Sequence, residues 1–397
     1  MNIAIIGAGI GGLTAALCLA KSGHRVTLVE SATQFSDVGA GLQCGANAVR
    51  VFEYLGLLDG IKKSAVEPER VEFRQYMNGH VLYTIPLGTD YAKKYGAPYY
   101  HIHRADLLQV LVDAVLASEQ IKVLMGTRFV KFIERSNVVQ TIFEDGSEIE
   151  CDALVGADGV RSLVRKQLLG VIASKQGDPQ FTGNVAWRAT VSVEHLPANF
   201  MDKVVTNFVG PKKHMVLYYL RSQKILNMVG VVEGSNLGSE SWVELAPWSQ
   251  LRDDFRNWHP MVSEVVSSLR EQPCYRWALY DHPPLNSWST DRVTLLGDAA
   301  HATLPFMASG AAMAIEDARI LQRSLGEKHL IGEAFELYQK NRINRTAMVQ
   351  KSSKKLGRLY HIENRYLLQA AFAALKIVGG KKENFLPEYD ANKIVLT

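Results

Sequence analysis

Six residues near the start of the chain, Gly7-Ala8-Gly9-Ile10-Gly11-Gly12, have the spacing that lets a backbone close around a pyrophosphate. They follow the short apolar run Ile3 to Ile6. They open a run of good helix formers, Leu13 to Lys21, that stops at Ser22-Gly23. In that setting Gly7 permits a tight turn, Gly9 lets the main chain approach the phosphates, and Gly12 allows close helix–strand packing. The helix start adds unpaired N–H groups and positive partial charge. Arg25 to Glu30 reads as a second strand, so residues 1–30 form a βαβ unit. The Glu30 carboxylate at its end can accept hydrogen bonds from a ribose diol and would repel a 2′-phosphate. This fingerprint alone does not separate FAD from NAD.

Two later stretches choose between them. One is Ala153-Leu-Val-Gly-Ala-Asp158-Gly159-Val-Arg161-Ser162-Leu-Val-Arg165. The other is Gly297-Asp298-Ala-Ala-His301-Ala-Thr-Leu-Pro305-Phe-Met-Ala-Ser-Gly310-Ala-Ala-Met-Ala-Ile-Glu316-Asp317-Ala. Together with the glycine fingerprint, and in this order, they resemble the single-component FAD-dependent aromatic hydroxylases. Within that family the resemblance is nearest to the salicylate, 3-hydroxybenzoate and 6-hydroxynicotinate hydroxylase group. It covers residues 1–350.

The resemblance implies roles that the residue chemistry supports. Asp298, ending a strand, would hydrogen-bond a ribityl hydroxyl of FAD, and Pro305 would sit against the isoalloxazine edge. Gly310, Ala311 and Ala312 begin a helix whose N–H groups and dipole would stabilise negative charge on the reduced flavin. Asp158, with Gly159, belongs to the family's second nucleotide-contacting motif. Arg104 matches an arginine near the FAD phosphates, and Gln43 lies where the family's loop passes the flavin. Arg161 and Arg165 are open between phosphate contacts and a solvated helix start. No second GxGxxG follows a strand, which agrees with NADH or NADPH binding only transiently. No metal site is expected.

The implied reaction takes O2 to a flavin C4a-hydroperoxide that hydroxylates an electron-rich ring. It needs a dry site and a base near a ring hydroxyl. Gly210-Pro211-Lys-Lys-His214-Met-Val-Leu-Tyr218 resembles the stretch that carries a substrate-facing histidine with a tyrosine four residues on. On a strand, His214 and Tyr218 share a face. His214 could accept the phenolic proton and Tyr218 could hydrogen-bond the substrate. Tyr219, and Ala46 before Asn47, stand where relatives commonly have proline, so the pocket is expected to differ. His301 reads as structure or flavin-side packing. Arg188 reads as an outer-face strand arginine before a substrate-carboxylate partner.

These residues need a particular frame. Asn78-Gly79 and Asp145-Gly146, each between β-rich stretches, are hairpin turns. Strands are expected over 185–193, 204–209, 215–220, 225–232 and 293–296, and helix over Trp242 to Leu269 and from Ala311 onward. The fold class is α/β: a Rossmann-like FAD-binding domain from both ends of the chain, an inserted β-sheet substrate domain, and a C-terminal helical tail. The divisions are 1–180 and 283–350 for the FAD domain, 181–282 for the substrate domain and 351–397 for the tail. The apolar tail stretch Tyr366 to Val378 reads as packing on the body or a partner subunit rather than on a membrane.

The 397 residues, 47% hydrophobic and 21% charged, can bury a large core. The formal net charge of +4 does not point to nucleic acid. Cys18, Cys44, Cys151 and Cys274 are too scattered for a disulfide framework or zinc site, which suits a reducing cytoplasm. No signal peptide and no membrane span is read. The expected partners are a small aromatic acid and O2, with the chain a monomer or homodimer. The alternatives are a flavin monooxygenase acting on urate, kynurenine or a quinone precursor, an NAD-dependent dehydrogenase, and a non-catalytic flavin sensor.

Overall fold

Short, continuously apolar runs become strands buried on both faces. In the computed structural model, which describes residues 1–35, 40–170, 178–234, 243–378 and 385–397, five such runs form one parallel sheet. Its order is Val293–Leu295, Ala153–Gly156, Asn2–Ile6, Arg25–Val29, Ile121–Leu124. The helix Ile10–Lys21 follows the first strand and packs against the helix Gly310–Glu327. The opening glycine turn, the Asp158 turn and the Gly297-Asp298 turn thus all leave the same end of adjacent strands. Ligands of open α/β sheets bind there.

A second, eight-stranded sheet stands over that end, in the order Val243–Ala246, Cys274–Asp281, Gln180–Ser192, Ile225–Glu233, Lys213–Leu220, Val205–Gly210, Arg70–Gln75, Val81–Pro86. Period-2 alternation gives it two buried faces. Trp187, Phe208, Met215 and Met228 pack under the helices Trp248–Asp254 and Pro260–Ser268. Ala186, Val209, Val231 and His214 face the other way, toward the cofactor side. The Asn78-Gly79 and Asp145-Gly146 hairpins form as expected, with both glycines at positive φ.

Three expectations need correction. The sheet placed within 181–282 is wider, because the fully buried strand Val205–Gly210 needs a second partner and takes Arg70–Gln75 in parallel. Within the stretch expected to be helical, Val243–Ala246 is an edge strand. The two helices behind it are separated at Asn257, which sits at φ 64°, and the second starts at Pro260. Trp242 lies outside the described residues. Finally, the helix Ile331–Tyr360 runs unbroken through the expected boundary at residue 350. The tail helix Arg365–Val378 buries Leu368 and Phe372 against Phe73 and Leu82 of the sheet. Among the described residues no helix is long and apolar enough to cross a membrane.

Candidate functional site

The glycines of the opening turn differ in what surrounds them. A Cβ on Gly7, which sits at φ 104°, would strike the Ala157 carbonyl oxygen at 2.4 Å. One on Gly12 would meet the Gly7 carbonyl oxygen at 1.9 Å. Both are glycine because protein fills the space. Gly9 has an ordinary φ of −71° and nothing within 4 Å of where a Cβ would be. Neither backbone nor packing asks for glycine there, so the open space is for a ligand that comes close to the main chain. The helix that starts at Gly9 has no side-chain cap, and its first N–H groups point into the same space.

Glu30 lies beside this turn. Its Oε2 accepts the Ala8 N–H at 2.9 Å and its Oε1 the Ala32 N–H at 2.9 Å. Asp298 opens into the groove on the far side of the sheet's end. Its side chain is exposed at the strand's end, where desolvation by the surrounding protein raises its pKa while the charges of His301 and Arg104 pull it back. Asp298 and Arg104 are thus brought together. The Asp158 carboxylate has a task within the protein. It accepts the Leu163 and Val164 N–H groups at 2.8 and 3.2 Å and the Ser162 hydroxyl, capping the helix Leu163–Leu168. Arg165 meets neither solvent nor an open phosphate site: it is buried, and its Nη1 donates to the Ala299 and Ala300 carbonyls at 3.0 Å. Burial lowers its pKa to about 10. It pins the Asp158 turn to the Asp298 turn.

The acidic pair Glu316-Asp317 anchors the late motif from behind. Asp317 Oδ2 meets His301 Nε2 at 2.6 Å and accepts the Gly297 N–H at 3.0 Å, and its Oδ1 accepts from Arg342 Nε at 2.6 Å. Burial works to raise this carboxyl, but His301 and Arg342 overcome it and hold the pKa at about 2. Glu316 bridges Arg342 and Arg345 and accepts from Asn47 Nδ2 at 2.6 Å. His301 is accordingly a buried structural residue, packed on Trp288.

Between the late motif and the upper sheet lies a cavity of about 760 Å³. Pro305 and Ala312 line its cofactor side, Gln43 and Asn47 another wall, and His214 the sheet. Gly310 and Ala311 start the helix behind Ala312, again without a side-chain cap. His214 is buried, and its Nδ1 lies 2.7 Å from His361 Nε2. Burial first, then His361, pushes its pKa well below the ordinary value, so it is neutral at working pH. Tyr218 is not among the cavity-lining residues. It shares His214's face of the strand, but lies under Gly41, where a Cβ would come 2.5 Å from its hydroxyl, and stacks on His101 at 4.4 Å. Tyr99 takes the wall instead, donating to Gln43 Oε1 at 2.6 Å. Arg188 stacks over Trp277 at 5.4 Å and does not line the cavity.

The family model described as an FAD binding domain matches residues 1–351. The chain belongs to this FAD-binding family. It is 34% identical to a 3-hydroxybenzoate 6-hydroxylase of Polaromonas naphthalenivorans (strain CJ2), over 91% of this chain and 89% of that protein. It is 35% identical to a 6-hydroxynicotinate 3-monooxygenase of Pseudomonas fluorescens, over 89% and 90%. Its fold matches HpxO of Klebsiella pneumoniae, solved with FAD and uric acid, at a TM-score of 0.85, 25% identity and coverage of 98% and 97%.

The residues fit the FAD that the family implies. The space before Gly9 suits its pyrophosphate, Glu30 its ribose, and Asp298 with Arg104 its middle. The uncapped helix start at Gly310 suits the anionic edge of the reduced ring. Among the described residues no group of His, Cys, Asp and Glu is arranged to hold a metal. His361, Glu233, Tyr99 and the arginine partners of Glu316 were not marked by any sequence motif. Glu316-Asp317 lies in the late motif, and two adjacent acids in the otherwise apolar stretch Gly310 to Ala318 are the signal that cations must be buried beside them.

Proposed function

We propose that this chain hydroxylates a small phenolic or heteroaromatic acid, using NAD(P)H and O2, with His214 taking the proton of a ring hydroxyl. The chain is an FAD-dependent monooxygenase of the aromatic-hydroxylase kind, and bound FAD supplies the redox and oxygen chemistry. The observation that carries the substrate reading is a neutral histidine on the wall of a largely apolar cavity, facing the turn that begins at Pro305. With Nδ1 turned to His361, Nε2 is left for substrate. Phe73, Phe306, Leu356 and Phe372 line the same cavity and keep water from the reacting atoms. Lys94 and Lys355 line it too, and are exposed, so they mark its solvent side and suit a carboxylate turned that way. All four cysteines are free and buried, which supports a reducing cytoplasm.

One observation favours a second reading, a heteroaromatic without a carboxylate, such as urate: among the described residues no arginine lines the cavity. The test is anaerobic stopped-flow reduction of the FAD-loaded protein by NADH and by NADPH, with product identification after oxygen is admitted. Each run adds 3-hydroxybenzoate, 6-hydroxynicotinate, salicylate or urate. Faster reduction and a hydroxylated product with one of the acids is the expected result. Response to urate alone would replace the first reading with the second, and response to none would end both.

A further inference from the structure

We propose that Glu233, His361 and His214 form a proton path from solvent to the cavity wall, with His361 as the residue that orients His214 and relays its proton. The proposal rests on the reading of His214 as the base.

The three side chains come from three places. His214 is on the strand Lys213–Leu220, Glu233 ends the neighbouring strand Ile225–Glu233, and His361 follows the long helix Ile331–Tyr360. His214 Nδ1 is 2.7 Å from His361 Nε2, and His361 Nδ1 is 2.5 Å from Glu233 Oε1. The His361 side chain is 2% exposed and that of Glu233 38%, so the path is dry until its last member. Phe306 and Tyr360 flank the imidazoles, and Lys212, whose N–H donates to the His361 carbonyl at 3.2 Å, pairs with Glu363 at 3.5 Å.

The hydrogen bonds fix the tautomers. A carboxylate only accepts, so His361 must carry its proton on Nδ1. Its neutral Nε2 is then an acceptor, so His214 must donate from Nδ1. The one nitrogen left, His214 Nε2, faces substrate with a lone pair. Glu233 thereby decides that the cavity meets a base rather than a donor.

The path also answers an energetic difficulty. A lone imidazolium buried among aromatic rings is costly, and the pKa of His214 is depressed accordingly. If the phenolic proton goes to His214 Nε2 while the Nδ1 proton passes to His361 Nε2, and the His361 Nδ1 proton to Glu233, neither imidazole keeps a charge and the only buried one is on the substrate oxygen. The O–H bond of the substrate breaks and a phenolate remains. Three N–H or O–H bonds form, two N–H bonds break, and one proton ends on the carboxylate beside solvent. The reverse transfers return a proton when the ring is later restored to its aromatic form.

Two variants and two readouts test this on the FAD-loaded protein. Nitrogen-15 NMR of labelled histidines, without ligand, should find both His214 and His361 neutral and protonated on Nδ1. A His214 protonated on Nε2 would overturn the proposal. The second readout is the ultraviolet difference spectrum of bound 3-hydroxybenzoate, or 6-hydroxynicotinate if that is the substrate, titrated with pH. His361→Phe removes the relay. Glu233→Gln, half-exposed and mild, keeps an acceptor but cannot take the proton. In both, ionisation of the bound hydroxyl should move up by about one pH unit and kcat should fall at least ~10-fold, with FAD affinity and KM near those of the parent. An unchanged ionisation pH in both variants sinks the relay while leaving His214 as base. If the parent protein itself ionises neither compound, the functional reading fails, and the relay with it.

Discussion

His301 and His214 are both buried, and each is hydrogen-bonded through one ring nitrogen at 2.6 to 2.7 Å. Each also stands in a stretch that invites a catalytic reading. What differs is where the hydrogen bonds lead. From His301 they run to Asp317, then to Arg342, Glu316 and Arg345, all buried, with two acids balanced by two arginines. From His214 they run through His361 to a half-exposed glutamate. A buried ionic cluster with no outlet holds structure, whereas one that reaches water can move a proton. The surroundings of a histidine, more than its motif, assign its work.

The strongest way to break the comparison is to open the closed side. Arg342→Met leaves Glu316 and Asp317 buried with a lost partner, and should cost about 3–5 kcal/mol, read as a fall in thermal or urea unfolding midpoint. A midpoint equal to the parent's would show that the cluster is not what holds the late motif. Next comes the other histidine. His214→Phe should keep the fold and its FAD but lower turnover about 100-fold or more, some 3 kcal/mol in the barrier. Full coupled turnover in that variant would remove the base assignment.

The sequence showed one side of this contrast better than the other. The parallel sheet, its three turns and both hairpins are local patterns, legible from apolar runs and glycine placement. His214 was legible through the resemblance carried by the stretch Gly210 to Tyr218, with strand alternation giving its face. His361 was not, since it meets His214 across 147 residues and follows a helix with no motif of its own. The stretch Val71 to Met77 reads as β-rich, but the pairing of the strand Arg70–Gln75 with Val205–Gly210 depends on an edge that only the folded sheet defines. Arg165 could be read toward phosphate or water because nothing local announces the Ala299 and Ala300 carbonyls that it pins. Tyr218 shares His214's face but packs against Gly41 and His101, since alternation gives a side and not the neighbours met there.

Acid should separate the two networks further. The Asp317 carboxyl sits at about 2 in the folded protein against an ordinary 3.8. Its stabilising contribution is therefore complete above about pH 4 and disappears as pH falls through 2, about 2 kcal/mol in all. Glu316, held low against burial by Arg345 and Arg342, adds in the same direction. Unfolding midpoints measured from pH 5 to pH 2 should decline in the parent and decline less in an Asp317→Asn variant, which begins lower. Parallel curves would place the acid sensitivity elsewhere. The smallest effect is expected from His301→Gln: a loss of about 1–2 kcal/mol in stability, with turnover per bound flavin falling far less than in His214→Phe. A turnover loss as large as that of His214→Phe would erase the distinction between the two histidines.

The helix Ile331–Tyr360 seats Arg342 and Arg345 near its middle and hands the chain on to His361 at its end. Each residue of a helix adds about 100° of rotation, so one residue gained or lost beyond Arg345 would swing His361 off His214 with both arginines still in place. The segment that decides what is done to a substrate is therefore inherited in two pieces. Recombination that exchanges the middle of this chain alone brings a new His214 and Glu233 to an old His361, and where the parents' helices differ in length beyond Arg345 the hybrid gains a mismatch in phase that neither parent had.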